Sequence, residues 1–407
     1  MSIVGREERN ESSGISRAWQ HRIVEAARDS SHVSGFTHNF YKYPARFSPK
    51  FVRAVIEAFT APGDLIVDPF MGGGTTLVEA LALGRHAIGT DVSSLAVFVA
   101  QVKTTLLNDD EIKTLERWAK RLCSRINMQR PGFNFEKYAA NGYHRHLDNR
   151  MTWRLRKAIE QALASAVQLA SPRSEAFARC VVLKSAQWAL DGRKSLPDLQ
   201  EFRESLMRSA KEMIGGLFEL RTAVNEDLSR LATVRCLNRS AVEVENDEQI
   251  AHGAKPKLIL TSPPYPGIHV LYHRWQVDGR KETPAPFWIA NRLDGSGAAY
   301  YSMGDRKAAD LRSYFEQIQA ALNSIAGLCD EDTTVVQVVA FSEPSWQLPR
   351  YLEANYLAGL EEIHLSIMVG ERDGRLWRPV PNRKWHAGQL GETPASQEVV
   401  LFHKLPA

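Results

Sequence analysis

Two short segments carry residue types that could do chemistry, and they lie far apart in the chain. The first, Asp68–Thr76, reads DPFMGGGTT and follows the apolar run Leu65–Val67. The second, Thr261–Tyr265, reads TSPPY and follows Lys257–Leu260. Glycines allow a tight turn and a close approach of a ligand, whereas consecutive prolines fix φ and end a strand abruptly. The pair predicts a ligand loop and a stiff polar loop at the carboxyl edge of one sheet.

The glycine segment is typical of a nucleoside site rather than a phosphate loop. It lacks the Gly-Lys-Ser/Thr ending of a phosphate loop. Asp68 ends an apolar run, and its carboxylate can accept hydrogen bonds from an ammonium group or from loop N–H groups. Asp91 closes the next apolar run, at the position where such folds hold ribose hydroxyls. A purely structural glycine turn is the alternative, and Asp91 makes it less favoured.

The proline segment offers hydrogen-bond acceptors and an aromatic face. The rigid backbone of Ser262–Tyr265 directs carbonyl oxygens towards a group with N–H donors, such as the exocyclic amine of a nucleobase, and Tyr265 supplies a stacking ring. The alternative is a proline-rich strand exit with Tyr265 filling the edge of the core.

The surrounding patterns predict the elements that position these segments. Ser48 as N-cap and Pro49 at the first helical position predict a helix that ends near 61–63. Strands over 64–68 and 84–91 flank a helix over 75–83, which makes one βαβ unit. Further strands are predicted at 233–237, 257–261, 333–340, 363–369 and 398–402. We therefore expect an α/β fold with a mostly parallel seven-stranded sheet and helices on both faces.

Composition changes along the chain predict three regions. Residues 1–36 are polar and predict an arm or a short helix. Residues 37–105 and 231–407 carry the strand patterns and predict one α/β domain. Residues 106–230 have helical periodicity and predict a helical insertion.

The overall composition excludes several classes of protein. With 407 residues, 44% hydrophobic and 24% charged, the chain can bury a core without disulfides or structural metal. The four cysteines are scattered without metal-ligand or disulfide spacing, and the sequence has neither a signal-like start nor a membrane-length apolar run. We expect a cytoplasmic protein without a metal site. The net charge of +4 permits a nucleic-acid partner without requiring one.

The two motifs together resemble the S-adenosylmethionine-dependent DNA methyltransferases that modify exocyclic amines, at cytosine N(4) or adenine N(6). A third segment, Tyr41–Lys50, reads YKYPARFSPK and resembles an additional cofactor motif of that family. The resemblance covers roughly 37–105 and 233–404, and it implies a Rossmann-like methyltransferase fold with S-adenosylmethionine as cofactor.

The resemblance also implies roles for individual residues. The cofactor would contact Phe47, Ser48, Pro49, Asp68, Pro69, Phe70, Gly72, Gly74, Thr75, Thr76 and Asp91. The catalytic segment would be Ser262, Pro263, Pro264 and Tyr265. In it, Ser262 and the Pro263 carbonyl would accept hydrogen bonds from the target amine, and Tyr265 would stack on a base flipped out of the duplex.

Two basic and aromatic stretches, 143–157 and 375–386, are candidates for DNA contact. A solvated helix face is the alternative for the first stretch, and the second is expected to be a loop because it is rich in proline. The candidate DNA-binding residues are Arg145, Arg150, Arg154, Arg378, Arg383 and Lys384.

The resulting prediction is a site-specific methyltransferase acting on duplex DNA, with cytosine N(4) favoured by the serine that opens the proline motif. The alternatives are an adenine-N(6) enzyme, an RNA base methyltransferase and a non-catalytic nucleic-acid-binding module. Methylation at cytosine carbon is disfavoured because it needs an activated cysteine, typically beside a proline, and no cysteine here has a proline neighbour. The presence of a cognate restriction endonuclease and the oligomeric state are left open.

Overall fold

A computed structural model of the chain describes residues 14–42, 46–226, 232–251, 253–266, 274–277, 279, 281–293, 303, 308, 310–371, 373–379 and 397–406. Its helices are α1 Arg17–Arg28, α2 Pro49–Phe59, α3 Thr75–Ala82, α4 Ser94–Thr104, α5 Asp109–Arg125, α6 Phe135–Ala140, α7 Trp153–Ala166, α8 Pro172–Leu190, α9 Leu199–Glu226, α10 Glu248–Ala251, α11 Ala285–Ala290, α12 Arg312–Leu328 and α13 Pro344–Leu357. Its strands are β1 Leu65–Asp68, β2 His86–Asp91, β3 Val234–Asn238, β4 Leu258–Thr261, β5 Trp275–Val277, β6 Lys281–Thr283, β7 Thr334–Ala340, β8 Glu361–Ile363, β9 Leu376–Pro379 and β10 Gln397–Lys404.

The main sheet is mostly parallel and has the order β3-β2-β1-β4-β7-β10-β8, with β9 also pairing with β10. The pairs from β3 to β7 are all parallel. Strand β10 is antiparallel to β7, β8 and β9. From β1 the chain adds β2 and β3 on one side, and it later adds β4 and β7 on the other side, so the strand order reverses between β1 and β4. This order is that of a Rossmann-like fold, whose ligands bind at the carboxyl ends of the strands beside the reversal.

Helices cover both faces of this sheet, as the sequence predicts. Successive residues of the central strands point to opposite faces. In β1, Ile66 packs in a core with α2 and α3, whereas Val67 packs in a core with α12. Strand β7 is buried along its whole length, including its central Gln337, which agrees with its mainly apolar sequence.

The sheet differs from the seven predicted strands near its antiparallel edge. The strand predicted over 363–369 is wrong, because β8 covers only Glu361–Ile363 and Ser366–Met368 form a 3₁₀ turn. The buried Gln20 of α1 accepts hydrogen bonds from the Ser366 hydroxyl at 3.1 Å and the Ile367 N–H at 3.3 Å. The Gln20 side chain thus accepts the hydrogen bond of the Ile367 N–H, which in a strand could have been donated to a neighbouring strand.

A second correction concerns the loop predicted over 375–386. Leu376–Pro379 form strand β9, which pairs antiparallel with β10. Pro379 is the last residue of this short strand. The remaining residues of that stretch, 380–386, lie outside the described residues.

The segment predicted as a helical insertion contains α5 to α9, and its core is continuous with α4 and α11. Ahead of the sheet, α1 packs its buried residues Ile23, Val24 and Ala27 into the core beside α2. The division into domains stays a prediction. Helix α1 lies in the N-terminal region, for which the sequence left an arm or a short helix open, and α5 to α9 lie in the region with helical periodicity.

Candidate active site

The two chemically informative motifs meet at the carboxyl ends of neighbouring strands. Strands β1 and β4 are parallel partners, with Ile66 opposite Leu258. Asp68 ends β1 and Thr261 ends β4, and the Thr261 hydroxyl donates a hydrogen bond of 2.8 Å to Asp68 Oδ1. Both residues are buried. This bond fixes the glycine loop and the proline loop relative to each other.

Asp68 is a buried carboxyl group with two donors on one oxygen. Its Oδ1 lies 3.2 Å from the Phe70 N–H and 2.8 Å from the Thr261 hydroxyl. Burial raises the pKa of Asp68 to about 6, although these hydrogen bonds act in the opposite direction. Asp68 therefore holds the site together as well as bordering it.

The glycine loop is held by the carboxylate of Asp91. Asp91 Oδ2 accepts the Gly72 N–H at 3.0 Å, and Oδ1 accepts the Ser93 N–H at 2.8 Å. Each oxygen keeps a lone pair for a further donor. Burial raises the pKa of Asp91 to about 6.

The glycines of this loop are required by its geometry. Gly72 and Gly74 have positive φ angles of 45° and 74°, which L side chains rarely adopt. A Cβ atom on Gly74 would lie 2.8 Å from the Cβ of Ala100 on α4. Gly74 also precedes the first residue of α3, Thr75, so the free N–H groups of that helix start face the same region.

Lys103 supports the loop and was not predicted from the sequence. Its Nζ donates a hydrogen bond of 2.7 Å to the Gly73 carbonyl, and the side chain is 1% exposed. Burial lowers its pKa to about 7. The available signal was that Lys103 is the one charged residue of helix α4, three positions after the apolar run Leu95–Ala100.

The additional motif lies at the start of α2. Phe47 is buried, Ser48 is the N-cap without a side-chain cap bond, and Pro49 is the first helical residue, as predicted. Residues 43–45 of the motif lie outside the described residues. The uncapped N–H groups at this helix start remain suited to an anionic group.

The proline motif is fixed by contacts from three neighbouring elements. The Ser262 hydroxyl donates to the Val338 carbonyl of β7 at 2.9 Å. The Tyr314 hydroxyl of α12 donates to the Pro264 carbonyl at 2.9 Å. The Tyr265 hydroxyl donates to Glu398 Oε1 of β10 at 2.6 Å, and the Tyr265 side chain is mostly buried. The loop is therefore held rigid. Tyr265 packs in the core beside α12, as the alternative of a core-edge tyrosine expects, and its stacking role stays a prediction.

The predicted DNA-binding residues divide into three groups. Arg145, Arg150 and Arg154 are exposed around the turn that precedes and enters α7. Arg378 differs from the expectation of a surface contact: it is 6% exposed, and its Nε donates to Glu398 Oε2 at 2.8 Å. A phosphate contact would require breaking this buried ion pair. Arg383 and Lys384 lie outside the described residues.

The part of the chain that the structure describes contains no cluster of three or more His, Cys, Asp or Glu side chains that could hold a metal ion. It likewise contains no helix long and apolar enough to cross a bilayer.

Comparison with known proteins agrees with the motifs. Residues 5–101 match the N6/N4 methyltransferase family model, described as DNA methylase. This range includes the segment before α2, the glycine loop and Asp91, but not Thr261–Tyr265. The resemblance to DNA amino-methyltransferases predicted from the motifs is confirmed over residues 5–101.

Individual relatives are similar over short segments. The type II methyltransferase M.MjaII of Methanocaldococcus jannaschii is 35% identical over 78 residues, which are 19% of this chain and 15% of that protein. M.MvaI of Kocuria varians is 34% identical over 102 residues, 22% of each chain. M.BsoBI of Geobacillus stearothermophilus is 34% identical over 86 residues, 21% of this chain and 17% of that one. The matched segment thus spans less than a quarter of these relatives.

Among solved structures, the rRNA methyltransferase AviRa from Streptomyces viridochromogenes aligns with 93% of this chain and 96% of its own. The TM-score is 0.31 and the sequence identity is 10%.

Proposed function

We propose that this protein is an S-adenosylmethionine-dependent DNA methyltransferase that acts on the exocyclic amine of a base in duplex DNA. The observation that carries the proposal is the hydrogen bond of 2.8 Å between Thr261 and Asp68. It joins a loop suited to the cofactor to a loop suited to an amine, at the ligand edge of a Rossmann-like sheet.

The residues of the glycine loop fit the proposed cofactor. Asp91 keeps a free lone pair on each oxygen, which suits the two hydroxyls of a ribose. Phe70 and the backbone of Gly72 and Gly74 border the loop where the methionine end would lie. Phe47, Ser48 and Pro49 would close the pocket at the start of α2, whose free N–H groups suit the methionine carboxylate, and Thr75 and Thr76 lie at the start of α3. When bound, S-adenosylmethionine would supply an electrophilic methyl group on a sulfonium. The leaving group would be a neutral thioether, which needs no acid.

The proline motif would orient the nucleophile. Ser262 donates its proton to Val338, so its oxygen lone pairs can accept an amine N–H, and the Pro263 carbonyl supplies a second acceptor. Two acceptors on the amine would hold its lone pair in line with the methyl carbon, and Tyr265 would stack on the flipped base. The nitrogen would gain the methyl group and release one proton to solvent.

The chain offers no activated thiol for the alternative chemistry at cytosine carbon. Burial raises the pKa of Cys180, Cys236 and Cys329 to about 12, and it also raises the pKa of Cys123. A thiol of high pKa is a poor nucleophile at neutral pH because little of it is thiolate. These values support an amine as the target.

Duplex DNA would be held in part by an exposed basic turn, defined by Arg145, Arg150 and Arg154. These three arginines are exposed, and the Asn149 side chain accepts the Met151 and Thr152 N–H groups at 2.8 and 3.1 Å. A stable turn with several cations suits contacts to phosphates. Arg383 and Lys384 remain candidate contacts, whereas Arg378 is omitted because it is engaged with Glu398.

Cytosine N(4) is the favoured target, because serine opens the proline motif, and adenine N(6) is the second candidate. Both amines present similar donors to the same acceptors. The enzyme would act in the cytoplasm as a modification methyltransferase, and a cognate restriction endonuclease is a candidate partner.

The test is to incubate the protein with methyl-labelled S-adenosylmethionine and either duplex DNA or RNA, then digest the nucleic acid and identify the labelled nucleoside. We expect N(4)-methylcytosine from DNA. Label in N(6)-methyladenine would correct the base, and label only in RNA would refute the DNA substrate. Cofactor binding without any transfer would favour a non-catalytic binding module.

A variant pair would assign the transfer to the proline motif. Tyr265→Ala should reduce transfer by a factor of about 100 with little change in cofactor affinity, because base positioning is lost while the glycine loop is kept. Tyr356→Ala is the matched control, since Tyr356 is 71% exposed on α13. Equal losses of transfer and cofactor affinity in Tyr265→Ala would remove Tyr265 from the stacking role.

A further inference from the structure

A chain of contacts connects the tyrosine of the proline motif to α2. The Tyr265 hydroxyl donates to Glu398 Oε1 at 2.6 Å. Glu398 Oε2 accepts Arg378 Nε at 2.8 Å and Nη2 at 2.6 Å. The Arg378 guanidinium lies over the ring of Phe51 on α2, 5.4 Å from its centroid. These contacts therefore link four elements of the candidate site: the proline motif, β10, β9 and α2.

The two charged residues in this series of contacts, Arg378 and Glu398, are a cross-strand pair. Arg378 of β9 is directly opposite Glu398 of β10, and both are buried, at 6% and 4% exposure. The two carboxylate oxygens have separate partners, since Arg378 uses Oε2 and Tyr265 uses Oε1. A buried ion pair stabilises little on its own because of its desolvation cost. Its geometric consequence here is that one oxygen is held in place to receive the tyrosine hydroxyl.

We propose that Glu398 is a positioning residue that fixes the ring of Tyr265 for stacking on the target base, with Arg378 holding the Glu398 carboxylate in register. This inference rests on the proposed function and extends it from the proline motif to strands β9 and β10. Glu398 acts only through Tyr265 and does not contact the substrate.

The central experiment measures steady-state methyl transfer to the DNA substrate by Glu398→Gln and Tyr265→Phe. In Glu398→Gln the single amide oxygen is taken by the charged Arg378, so the tyrosine hydroxyl meets an amide N–H₂ group instead of an acceptor. Tyr265→Phe removes the hydroxyl and leaves the ion pair intact. We expect each variant to lower kcat by roughly ten-fold or more, with KM for the cofactor changed by less than about two-fold. The double variant should lose no more than either single variant.

A rescue variant distinguishes positioning from simple structural support. In Arg378→Met/Glu398→Gln, the methionine keeps an apolar stem on Phe51, and the glutamine oxygen has no competitor for the Tyr265 hydroxyl. We expect kcat to recover to within about three-fold of the wild-type value, although the ion pair is gone. If the ion pair were only structural, this variant would be no better than Glu398→Gln.

The matched control is Glu362→Gln, which disrupts a second Arg–Glu pair at the same edge of the sheet. Arg375 donates to both oxygens of Glu362 at 2.7 Å, without a contact to the proline motif. Its kcat should be unchanged. The positioning role would be overturned if the loss of kcat in the Tyr265→Phe/Glu398→Gln variant equalled the product of the losses in the two single variants. It would also be overturned if kcat did not recover in the rescue variant. A wild-type protein that labels no duplex would instead refute the proposed function on which it rests.

Discussion

The hydrogen bond between Thr261 and Asp68 leads to a stability prediction whose size depends on pH. Thr261→Val preserves the shape of the buried side chain and removes the hydroxyl that donates to Asp68 Oδ1 at 2.8 Å. A hydrogen bond to a charged group contributes about 1.5–3 kcal/mol, and one between neutral groups about 0.5–1.5 kcal/mol. Because the pKa of Asp68 is about 6, its carboxyl is mainly neutral at pH 4.5 and ionised at pH 8.

The loss of stability in Thr261→Val should be larger at high pH, because the Thr261 hydroxyl donates its hydrogen bond to the Asp68 carboxyl group. The hydroxyl stabilises the ionised carboxylate, so its removal raises the pKa of Asp68 further and costs more when that group is charged. We expect Thr261→Val to lower the free energy of unfolding by about 2 kcal/mol at pH 8 and by about 1 kcal/mol at pH 4.5. The extra cost should develop as the pH rises through about 6.

The assay is urea unfolding followed by circular dichroism at both pH values. Thr90→Val is the matched control, because the Thr90 hydroxyl donates to the neutral carbonyl of Pro69 at 2.8 Å and Thr90 is also fully buried. Its cost should be the same at pH 4.5 and pH 8. A cost of Thr261→Val that does not differ between the two pH values, once the control is subtracted, would refute the assignment of an ionisable Asp68 beneath the two motifs.

Three further predictions concern the glycine loop and the basic turn. Gly74→Ala should lower the melting temperature more than Gly192→Ala, because both positions have positive φ but only the first places a Cβ 2.8 Å from a neighbour; equal shifts would contradict the close approach. Cofactor affinity measured by calorimetry should rise between pH 5 and pH 7 as Asp91 ionises, since its pKa is about 6 and hydroxyls donate to the charged form. Asp91→Asn should bind more weakly and lose that part of the pH dependence, and an unchanged profile would exclude Asp91 from the site. Replacing the three arginines of the basic turn with glutamine should reduce the slope of log K against log salt by about 0.9 for each phosphate contact removed, measured by fluorescence anisotropy on duplex DNA; an unaltered slope would place the DNA elsewhere.

The sequence was most informative where local patterns fix local structure. Ser48 and Pro49 marked the start of α2. The turn from β1 through Gly74 into α3 followed from an apolar run that ends at Asp68, with three glycines after it. The prediction of a strand over 363–369 was wrong. The backbone N–H groups of an apolar stretch can be hydrogen-bonded equally well in a 3₁₀ turn when another element supplies an acceptor. Gln20 supplies that acceptor from far away in the chain, and no local pattern reports it.

The sequence by itself determined the two motifs, the α/β class and the candidate ligand types, because each of these depends on residue types and their local patterns along the chain. Only the tertiary structure decided that Asp68 and Thr261 share a hydrogen bond, since that depends on β1 and β4 being neighbours in the sheet. It also decided that Arg378 is buried against Glu398 rather than free at the surface. Charge is visible in a sequence, but whether a charge is paired depends on which strands meet, and strand order is set by the packing of the whole sheet.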